Sequence, residues 1–281
     1  MRYSKLTSIN RKKNNEISTD ALRAVAIKAA KAAGAVHKKY FEKKITVRTK
    51  KTSFDLLTNA DVEAERAATR IIKHSFADHN FLAEEKRYKK TNSLYTWIID
   101  PLDGTNNFFC GLPIFAASVA LAKDGQVIVG AVYDVSRDEL FYAEKGKGSF
   151  LNGKRIKVAS AKTLKESLLI TGFYYDRGKD MIDNLARMKE FFLKRILGLR
   201  RLGAASLDLC YVACGRAAGF WEFVLSPWDF AAGKLLIEEA GGKVTDCFGR
   251  AVELRPSYII ASNTKIHKAM LKILRKSRGK S

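Results

Sequence analysis

The chain has 281 residues, of which 47% are hydrophobic and 28% charged, and its formal net charge is +22. This composition supports a large folded core and excludes a low-complexity or disordered chain. No run of residues reaches the roughly 18 apolar positions of a membrane-spanning helix, and residues 1–15 lack the apolar core of a secretory signal, so we expect a cytoplasmic protein.

The N-terminal half of the chain alternates between helical and extended patterns. In chain order, hydrophobic spacing predicts helices over 19–43 and 60–76, strands over 81–82, 96–99, 116–122 and 127–133, and a glycine-marked hairpin region over 142–158. The first helix follows a Thr19/Asp20 cap, and residues 123–126 form the turn between the last two of these strands.

The C-terminal half continues the alternation. Hydrophobic spacing there predicts helices over 181–197, 204–214 and 228–240, strands over 219–222 and 257–261, and a basic terminal helix. Helices that alternate with strands and hairpins, without a repeat or a low-complexity linker, indicate an α/β (α+β) fold of stacked helical and sheet layers. We expect one unit over residues 1–281, with basic flanks at 1–18 and 264–281.

The cysteines and histidines do not indicate a zinc site. Neither Cys-x-x-Cys nor His-x-x-x-His spacing occurs, and the four cysteines are too sparse for a disulfide framework. We expect all four to be buried thiols: Cys110, Cys210, Cys214 and Cys247.

Residues 97–108 are the most informative segment because they bring two carboxylates and a hydroxyl to one turn. A buried strand would end at Asp100, since Pro101 lacks an N–H and the chain must leave the sheet there. Asp103 would cap the helix or turn that follows, and Gly104 would let the backbone approach a ligand closely. Two interpretations stay open on these residues alone, a divalent-metal site and an ordinary exposed turn.

Three other carboxylates also lie at element boundaries beside apolar residues. Glu84 follows a strand, Asp61 stands at the start of the second helix, and Asp229 opens the helix over 228–240. Each of them alone is explained by a structural role such as helix capping. Together they favour one site that draws on four segments of the chain.

These segments closely resemble the signature motifs of the inositol monophosphatase family. The two signatures correspond to residues 97–108 and 228–233, the second followed by Glu-Ala-Gly-Gly at 239–242. Further similar segments are 84–85, 58–61, 146–153 and 200–205. The resemblance covers about residues 20–275, and bacterial and plant-like members are the most similar. It implies a layered α-β-α-β-α sandwich with a cleft that holds two or three magnesium ions.

The resemblance implies which residues bind each metal ion. The first magnesium would be bound by Glu84, Asp100 and the backbone carbonyl of Leu102. The second would be bound by Asp100, Asp103 and Asp229, and a third would lie near Glu84. The residue chemistry agrees, because magnesium prefers hard oxygen ligands and the set contains no soft one.

The resemblance also implies the catalytic roles. Glu84 and Thr105 would orient a water for in-line attack on phosphorus, and the metal would lower the pKa of that water. Asp61 would accept a hydrogen bond from the Thr105 hydroxyl, and the backbone N–H groups of Gly104 and Thr105 would bind phosphate oxygens. No phosphoenzyme is expected.

The alcohol of the substrate would be contacted by carboxylates and by one loop backbone. The residues expected there are Asp103, Gly203, Ala205, Glu222 and Asp229. Carboxylates accept hydrogen bonds from vicinal hydroxyls, which suits a polyol, although Glu222 on its own can also be a strand end that faces solvent. Ala204 stands where Ser or Thr is common in the family, which leaves the identity of the alcohol open.

The implied function is a magnesium-dependent phosphomonoesterase for myo-inositol monophosphate, inhibited by lithium and homodimeric. Other substrates for the same chemistry are fructose 1,6-bisphosphate, histidinol phosphate and a 3′-phosphoadenosine nucleotide. An alternative of a different class is a regulatory protein that binds RNA or a transcription complex. It is suggested by the basic ends, since residues 1–54 and 264–281 have basic excesses of 12 and 7. These ends can equally be a solvated surface.

Overall fold

The computed structural model describes residues 18–41, 43, 47–49, 56–173 and 178–275. Nearly all of the basic flank predicted at 1–18 and the last six residues lie outside this part. The helices within it are α1 (Thr19–Tyr40), α2 (Asn59–Ser75), α3 (Thr105–Phe109), α4 (Lys179–Leu193), α5 (Ala205–Ala213), α6 (Pro227–Glu239) and α7 (His267–Leu274).

The strands form two large sheets and one short ribbon. In chain order they are β1 (Val47–Thr49), β2 (Leu56–Thr58), β3 (Asn80–Ala83), β4 (Tyr95–Asp103), β5 (Ala116–Lys123), β6 (Gln126–Asp134), β7 (Glu139–Glu144), β8 (Gly148–Leu151), β9 (Lys154–Arg155), β10 (Leu168–Thr171), β11 (Gly198–Arg200), β12 (Gly219–Leu225), β13 (Lys243–Thr245) and β14 (Ser257–Ser262). One sheet has the order β3-β4-β5-β6-β7-β8-β9, the other β11-β10-β12-β14-β13, and β1 pairs with β2. Both large sheets are mixed, because β3 is parallel to β4 and β10 is parallel to its two neighbours.

The helices and sheets alternate as layers. Helices α1 and α2 cover one face of the seven-stranded sheet, and α5 and α6 fill the space between the two sheets. Helices α4 and α7 cover the far face of the five-stranded sheet. This order of layers confirms the predicted α-β-α-β-α sandwich.

Alternating side chains on β12 join two of the hydrophobic cores. Phe220 points into the central core with α5 and α6, while the next residue, Trp221, points into the outer core. The Trp221 and Phe191 rings pack there with centroids 4.5 Å apart. Successive strand residues face opposite sides, so β12 is buried on both faces.

Several predicted boundaries are wrong. The first helix ends at Tyr40, and the helix predicted over 181–197 occupies Lys179–Leu193. The residues that follow α4 lead into β11, which pairs in parallel with β10, and neither strand was predicted. Leu168 lies opposite Gly198 in this pair. Such short strands carry little periodicity of their own and form because a distant partner is available.

The predicted basic terminal helix is present as α7, whereas one cysteine differs from expectation. The basic flank predicted at 264–281 contains α7, whose His267, Met270 and Ile273 are buried, so this part belongs to the folded core. Cys110 is exposed at the end of α3, contrary to the prediction of a buried thiol. Among the described residues, no helix has the length and apolarity that crossing a membrane requires.

Candidate functional site

The central turn remains part of the sheet, contrary to the prediction that the strand ends at Asp100. Asp100 lies opposite Ser118 of β5 and Asp103 opposite Ala116, so β4 contains one extra residue between them. This bulge accommodates Pro101, which cannot donate a ladder hydrogen bond. Asp100 and Asp103 therefore stand at a bent strand end, only 2% and 9% exposed.

A buried histidine supports the bulge from behind. His37 of α1 donates from Nε2 to the Pro101 carbonyl at 2.7 Å. Burial lowers the pKa of His37 to about 4, so the ring is neutral at physiological pH. A neutral ring can hold the backbone without adding charge beside the carboxylates.

Asp103 does not cap the helix that follows it. The N-cap of α3 is Gly104, at φ 91°, and no side chain caps this helix. The Asp103 carboxylate instead accepts backbone hydrogen bonds at the start of α5, from Ala205 at 3.1 Å and Ser206 at 2.7 Å. The Ser206 hydroxyl donates a third bond, at 2.5 Å. Asp103 thus joins two segments a hundred residues apart in the chain.

Thr105 and Asp61 are in contact. The Thr105 hydroxyl lies 3.0 Å from both Asp61 Oδ1 and the Leu102 carbonyl oxygen, so it can donate a hydrogen bond to either acceptor. The other Asp61 oxygen accepts from the Thr58 backbone at 2.7 Å in a capping box at the start of α2. Asp61 therefore has both roles: it completes the capping box of α2, whose N-cap is Thr58, and it contacts the Thr105 hydroxyl.

Glu84 reaches the site because β3 and β4 are parallel. Ala83 lies opposite Ile99, and the Glu84 N–H donates to the Ile99 carbonyl at 3.2 Å. Parallel neighbours advance together, so Glu84 stands beside Asp100. Asp229 arrives on α6, where its Oδ2 accepts from the Ser226 N–H at 2.7 Å in a second capping box.

The four carboxylates influence one another strongly. Burial raises the pKa of Asp100 well above its usual range, and the charges of Glu84, Asp103 and Asp229 raise it further. Burial also raises the pKa of Asp103 to about 6, although the hydrogen bonds from Ser206 oppose the shift. Burial and the charges of Glu84 and Asp103 likewise raise the pKa of Asp229. A set of hard oxygen donors that destabilise their own ionised forms favours binding of a divalent cation.

The carboxylates interact closely but do not form a finished ligand set. In the described part of the chain, no three His, Cys, Asp or Glu side chains are already arranged as a metal-binding group. Asp103 and Asp229 are instead held by backbone donors. The donor chemistry of these side chains fits magnesium.

The predicted alcohol side lies on the five-stranded sheet and the loop before α5. Glu222 of β12 is partly buried, and burial raises its pKa to about 8, with Arg201 opposing the shift and Asp103 adding to it. Gly203 has φ 88°, a conformation suited to glycine, and Ala205 is the first residue of α5. The loop is tied to α3 by the Asn107 amide, which donates to the Leu202 carbonyl at 2.8 Å.

Three contributors to this region were not identified from the sequence. They are Asn107, Ser206 and Asp208. Asp208 is 1% exposed, and neither of its carboxylate oxygens has a hydrogen-bond partner among the described residues. Burial raises its pKa well above the usual range, and the charges of Glu222 and Asp103 add to the shift. The helical pattern around Asp208 gave no signal, because a single acidic residue on a helix is ordinarily solvated.

Replacing Asp208 with Asn should stabilise the metal-free protein, because the amide has nearly the same shape and brings no charge into the interior. We expect a gain in the free energy of unfolding on the order of 1–3 kcal/mol at pH 7. The pKa of Asp208 is raised on folding, so the wild type loses stability as pH rises, and the difference between the proteins should shrink as pH falls toward 4.

Urea unfolding with EDTA across this pH range measures the difference. Asp124→Asn, in the exposed turn after β5, is the control for loss of one carboxylate. A destabilised Asp208→Asn variant, or a gain independent of pH, would contradict the account of Asp208 as a buried carboxyl group that is costly to ionise.

The sequence matches a known family along most of its length. The model of the inositol monophosphatase family matches residues 18–278. The chain is 40% identical over 252 residues to the protein named Nus factor SuhB of Pseudomonas aeruginosa, covering 88% of this chain and 93% of that one. It is 39% identical over 223 residues to inositol-1-monophosphatase of Mesorhizobium japonicum, covering 79% and 84%.

Solved structures agree with this match. The extragenic suppressor protein suhB of Bartonella henselae superimposes with a TM-score of 0.87 at 36% identity, covering 92% of this chain and 99% of that one. An inositol monophosphatase/NADP phosphatase complexed with Mg²⁺ and phosphate superimposes with a TM-score of 0.79 at 28% identity, covering 93% and 96%. The chain belongs to the inositol monophosphatase family.

Proposed function

We propose that this protein is a magnesium-dependent phosphomonoesterase that hydrolyses myo-inositol monophosphate to inositol and phosphate. The observation that carries the proposal is the group of four carboxylates from β3, β4 and α6, in which burial and mutual repulsion raise the pKa values of three. A phosphate dianion would be repelled by this group unless divalent cations neutralised it. The Mg²⁺ and phosphate in the related solved structure support this reasoning.

The proposed ligands of the first magnesium are Glu84, Asp100 and the Leu102 carbonyl. Asp100 would also bind the second ion, together with Asp103 and Asp229. When bound, magnesium supplies positive charge toward the phosphate and lowers the pKa of a water. The bent end of β4 presents Asp100 and Asp103 on one side, which suits a shared ligand set.

The chain's own residues would then orient the reaction. The Thr105 hydroxyl, held by Asp61, would direct the attacking water, and Glu84 would accept a hydrogen bond from it. When the Thr105 hydroxyl donates its hydrogen bond to Asp61, an oxygen lone pair stays free to accept a hydrogen bond from water. The backbone N–H groups of Gly104 and Thr105 would donate to phosphate oxygens.

On the alcohol side, we propose that the hydroxyls of the substrate contact Glu222, Asp103 and Asp229. The backbone of Gly203 and Ala205 would complete the set. A carboxylate can accept from two neighbouring hydroxyls, which favours a polyol over an apolar alcohol.

Phosphate release from a panel of esters tests the proposal. We expect hydrolysis that requires Mg²⁺, is inhibited by Li⁺ and has the highest kcat/KM for myo-inositol 1-phosphate. The competing esters are fructose 1,6-bisphosphate, histidinol phosphate and 3′-phosphoadenosine 5′-phosphate. A higher kcat/KM for one of these would reassign the substrate, and activity without any divalent cation would refute the mechanism.

A second candidate is a regulatory protein that binds RNA or a transcription complex on the same scaffold. It is favoured by the relative named Nus factor SuhB and by an exposed basic cluster on α2 and the loop after β3. The cluster comprises Arg66, Arg70, Lys73 and Lys86, which line one cavity. Binding of a single-stranded RNA at two salt concentrations, with and without residues 1–15 and 276–281, tests whether the chain ends contribute.

We also propose a homodimer, as the family resemblance implies. Analytical ultracentrifugation of the purified chain would measure its mass in solution.

A further inference from the structure

Glu222 occupies a space that exists because residue 172 is glycine. Gly172 directly follows β10, and β10 lies parallel to β12 with Thr171 opposite Trp221, so Gly172 is beside Glu222. A Cβ atom built on Gly172 would overlap all three atoms of the Glu222 carboxyl group. The carboxylate therefore lies across the backbone of Gly172, where any other residue would place its side chain.

The backbone at Gly172 is held on both sides. Its N–H donates to the Trp221 carbonyl at 3.4 Å, and its carbonyl accepts from the Asn184 amide at 2.7 Å. Asn184 is fixed in turn by the Trp221 indole N–H, which donates to it at 2.6 Å. Asn184 is 1% exposed and Trp221 is fully buried. Because this backbone is anchored in the outer core, a clash at residue 172 would be relieved by movement of the Glu222 side chain.

Charges further restrict where the Glu222 carboxylate can lie. Asp103 and Asp208 repel it, and Arg201 attracts it. Movement away from Gly172 changes its distance from all three groups. The open space at Gly172 and the surrounding charges therefore both influence where this carboxylate lies.

We propose that Gly172 is a positioning residue that determines specificity for the alcohol: its missing side chain lets the Glu222 carboxylate lie where it can accept hydrogen bonds from the hydroxyls of a polyol. This inference rests on the proposed function and assigns polyol phosphates as the substrate class that depends on residue 172. A phosphate ester without neighbouring hydroxyls does not need Glu222 and should not respond to residue 172.

Gly172→Ala tests the inference, with Gly198→Ala as its matched control in the same sheet. A Cβ on Gly198 meets only flexible side chains, Arg200 at 3.2 Å and Leu168 at 3.5 Å. For myo-inositol 1-phosphate we expect Gly172→Ala to raise KM about tenfold, the scale of one lost hydrogen bond, with little change in kcat. For p-nitrophenyl phosphate we expect both constants to stay within about twofold of wild type.

Two further measurements separate positioning from a general structural effect. In a Glu222→Gln background, Gly172→Ala should have little additional effect on KM, because the two changes act through one group. A crystal structure of Gly172→Ala should show the residue 222 carboxylate displaced and the β10 backbone unmoved. If Gly172→Ala does not fold, the double variant Gly172→Ala/Glu222→Asp should fold, because the shorter side chain leaves room for the new Cβ. A double variant that is equally unfolded would overturn the steric contact between residues 172 and 222.

The outcomes are distinguishable. Gly172→Ala kinetics equal to those of Gly198→Ala, or equal losses on both esters, would overturn the role of Gly172 while leaving the phosphatase proposal intact. An unmoved Glu222 carboxylate in the variant crystal structure would also overturn it. A wild-type protein that releases phosphate from neither ester would refute the proposed function itself, and the inference with it.

Discussion

Asp100→Asn should reduce phosphate release by about a thousandfold or more at saturating Mg²⁺. The proposed bridging position of Asp100 gives it contact with two cations, and loss of its charge weakens both sites. Losing several kcal/mol of transition-state stabilisation corresponds to a rate reduction of this size. Phosphate release from myo-inositol 1-phosphate, compared between variant and wild type, measures the effect.

The same variant should remain folded. Asp100 Oδ1 accepts from the Leu102 N–H at 3.0 Å, and the amide oxygen of Asn can keep this bond. The pKa of Asp100 is raised on folding, so removing its charge at pH 7 should make the metal-free protein at least as stable as wild type.

A melting-temperature titration with Mg²⁺ supplies a readout that does not depend on catalysis. A ligand that binds only the folded state raises the melting temperature, so wild type should respond to Mg²⁺ more strongly than Asp100→Asn. Asp124→Asn, in the exposed turn after β5, should behave as wild type in both assays. Full activity of Asp100→Asn would refute the shared-ligand arrangement.

Thr105→Val should lower kcat about a hundredfold with little change in KM. Valine has nearly the same shape but no hydroxyl, so the contacts with Asp61 and the Leu102 carbonyl are lost. Orientation of a nucleophile typically contributes on this scale. Steady-state kinetics with myo-inositol 1-phosphate measure both constants.

A second buried threonine provides the control for loss of a hydroxyl. Thr245 is 3% exposed, and its hydroxyl contacts His267 at 2.9 Å near the edge of the other sheet. Thr245→Val should be destabilised to a degree similar to Thr105→Val but should keep the kcat of wild type. If Thr105→Ser, which restores a hydroxyl, is as impaired as Thr105→Val, the proposed role of this hydroxyl in orienting water is wrong.

Local sequence signals determined much of the candidate site. Asp61 three residues after Thr58, and Asp229 three after Ser226, are typical capping boxes, and both occur in the structure. The apolar run before Glu84 predicted a strand that ends on a carboxylate, and β3 ends at Ala83. These features depend on residues within one turn or one strand, so they can be read without knowing the fold.

The layered architecture was also accessible from the sequence. Helical and extended periodicities alternate along the chain, and the family resemblance gave the order of layers. The observed helices and sheets agree with it. The short strands β10 and β11 were missed because they pair with each other across the whole of α4.

Long-range packing decided the rest. Pro101 predicts a strand end, but His37 and the pairing with β5 keep the chain in the sheet as a bulge. Asp103 resembles the cap of the next helix, yet it binds donors at the start of α5, because folding brings that helix against β4.

The space beside Glu222 exists only when β10 and β12 are neighbours, since Gly172 and Glu222 are fifty residues apart in the chain. The sequence by itself determined which carboxylates stand at element ends, because capping and strand termination are local interactions. Only the tertiary structure decided which of them share a buried, mutually repelling environment and which neighbours hold them. Burial and charge proximity arise from contacts between distant segments.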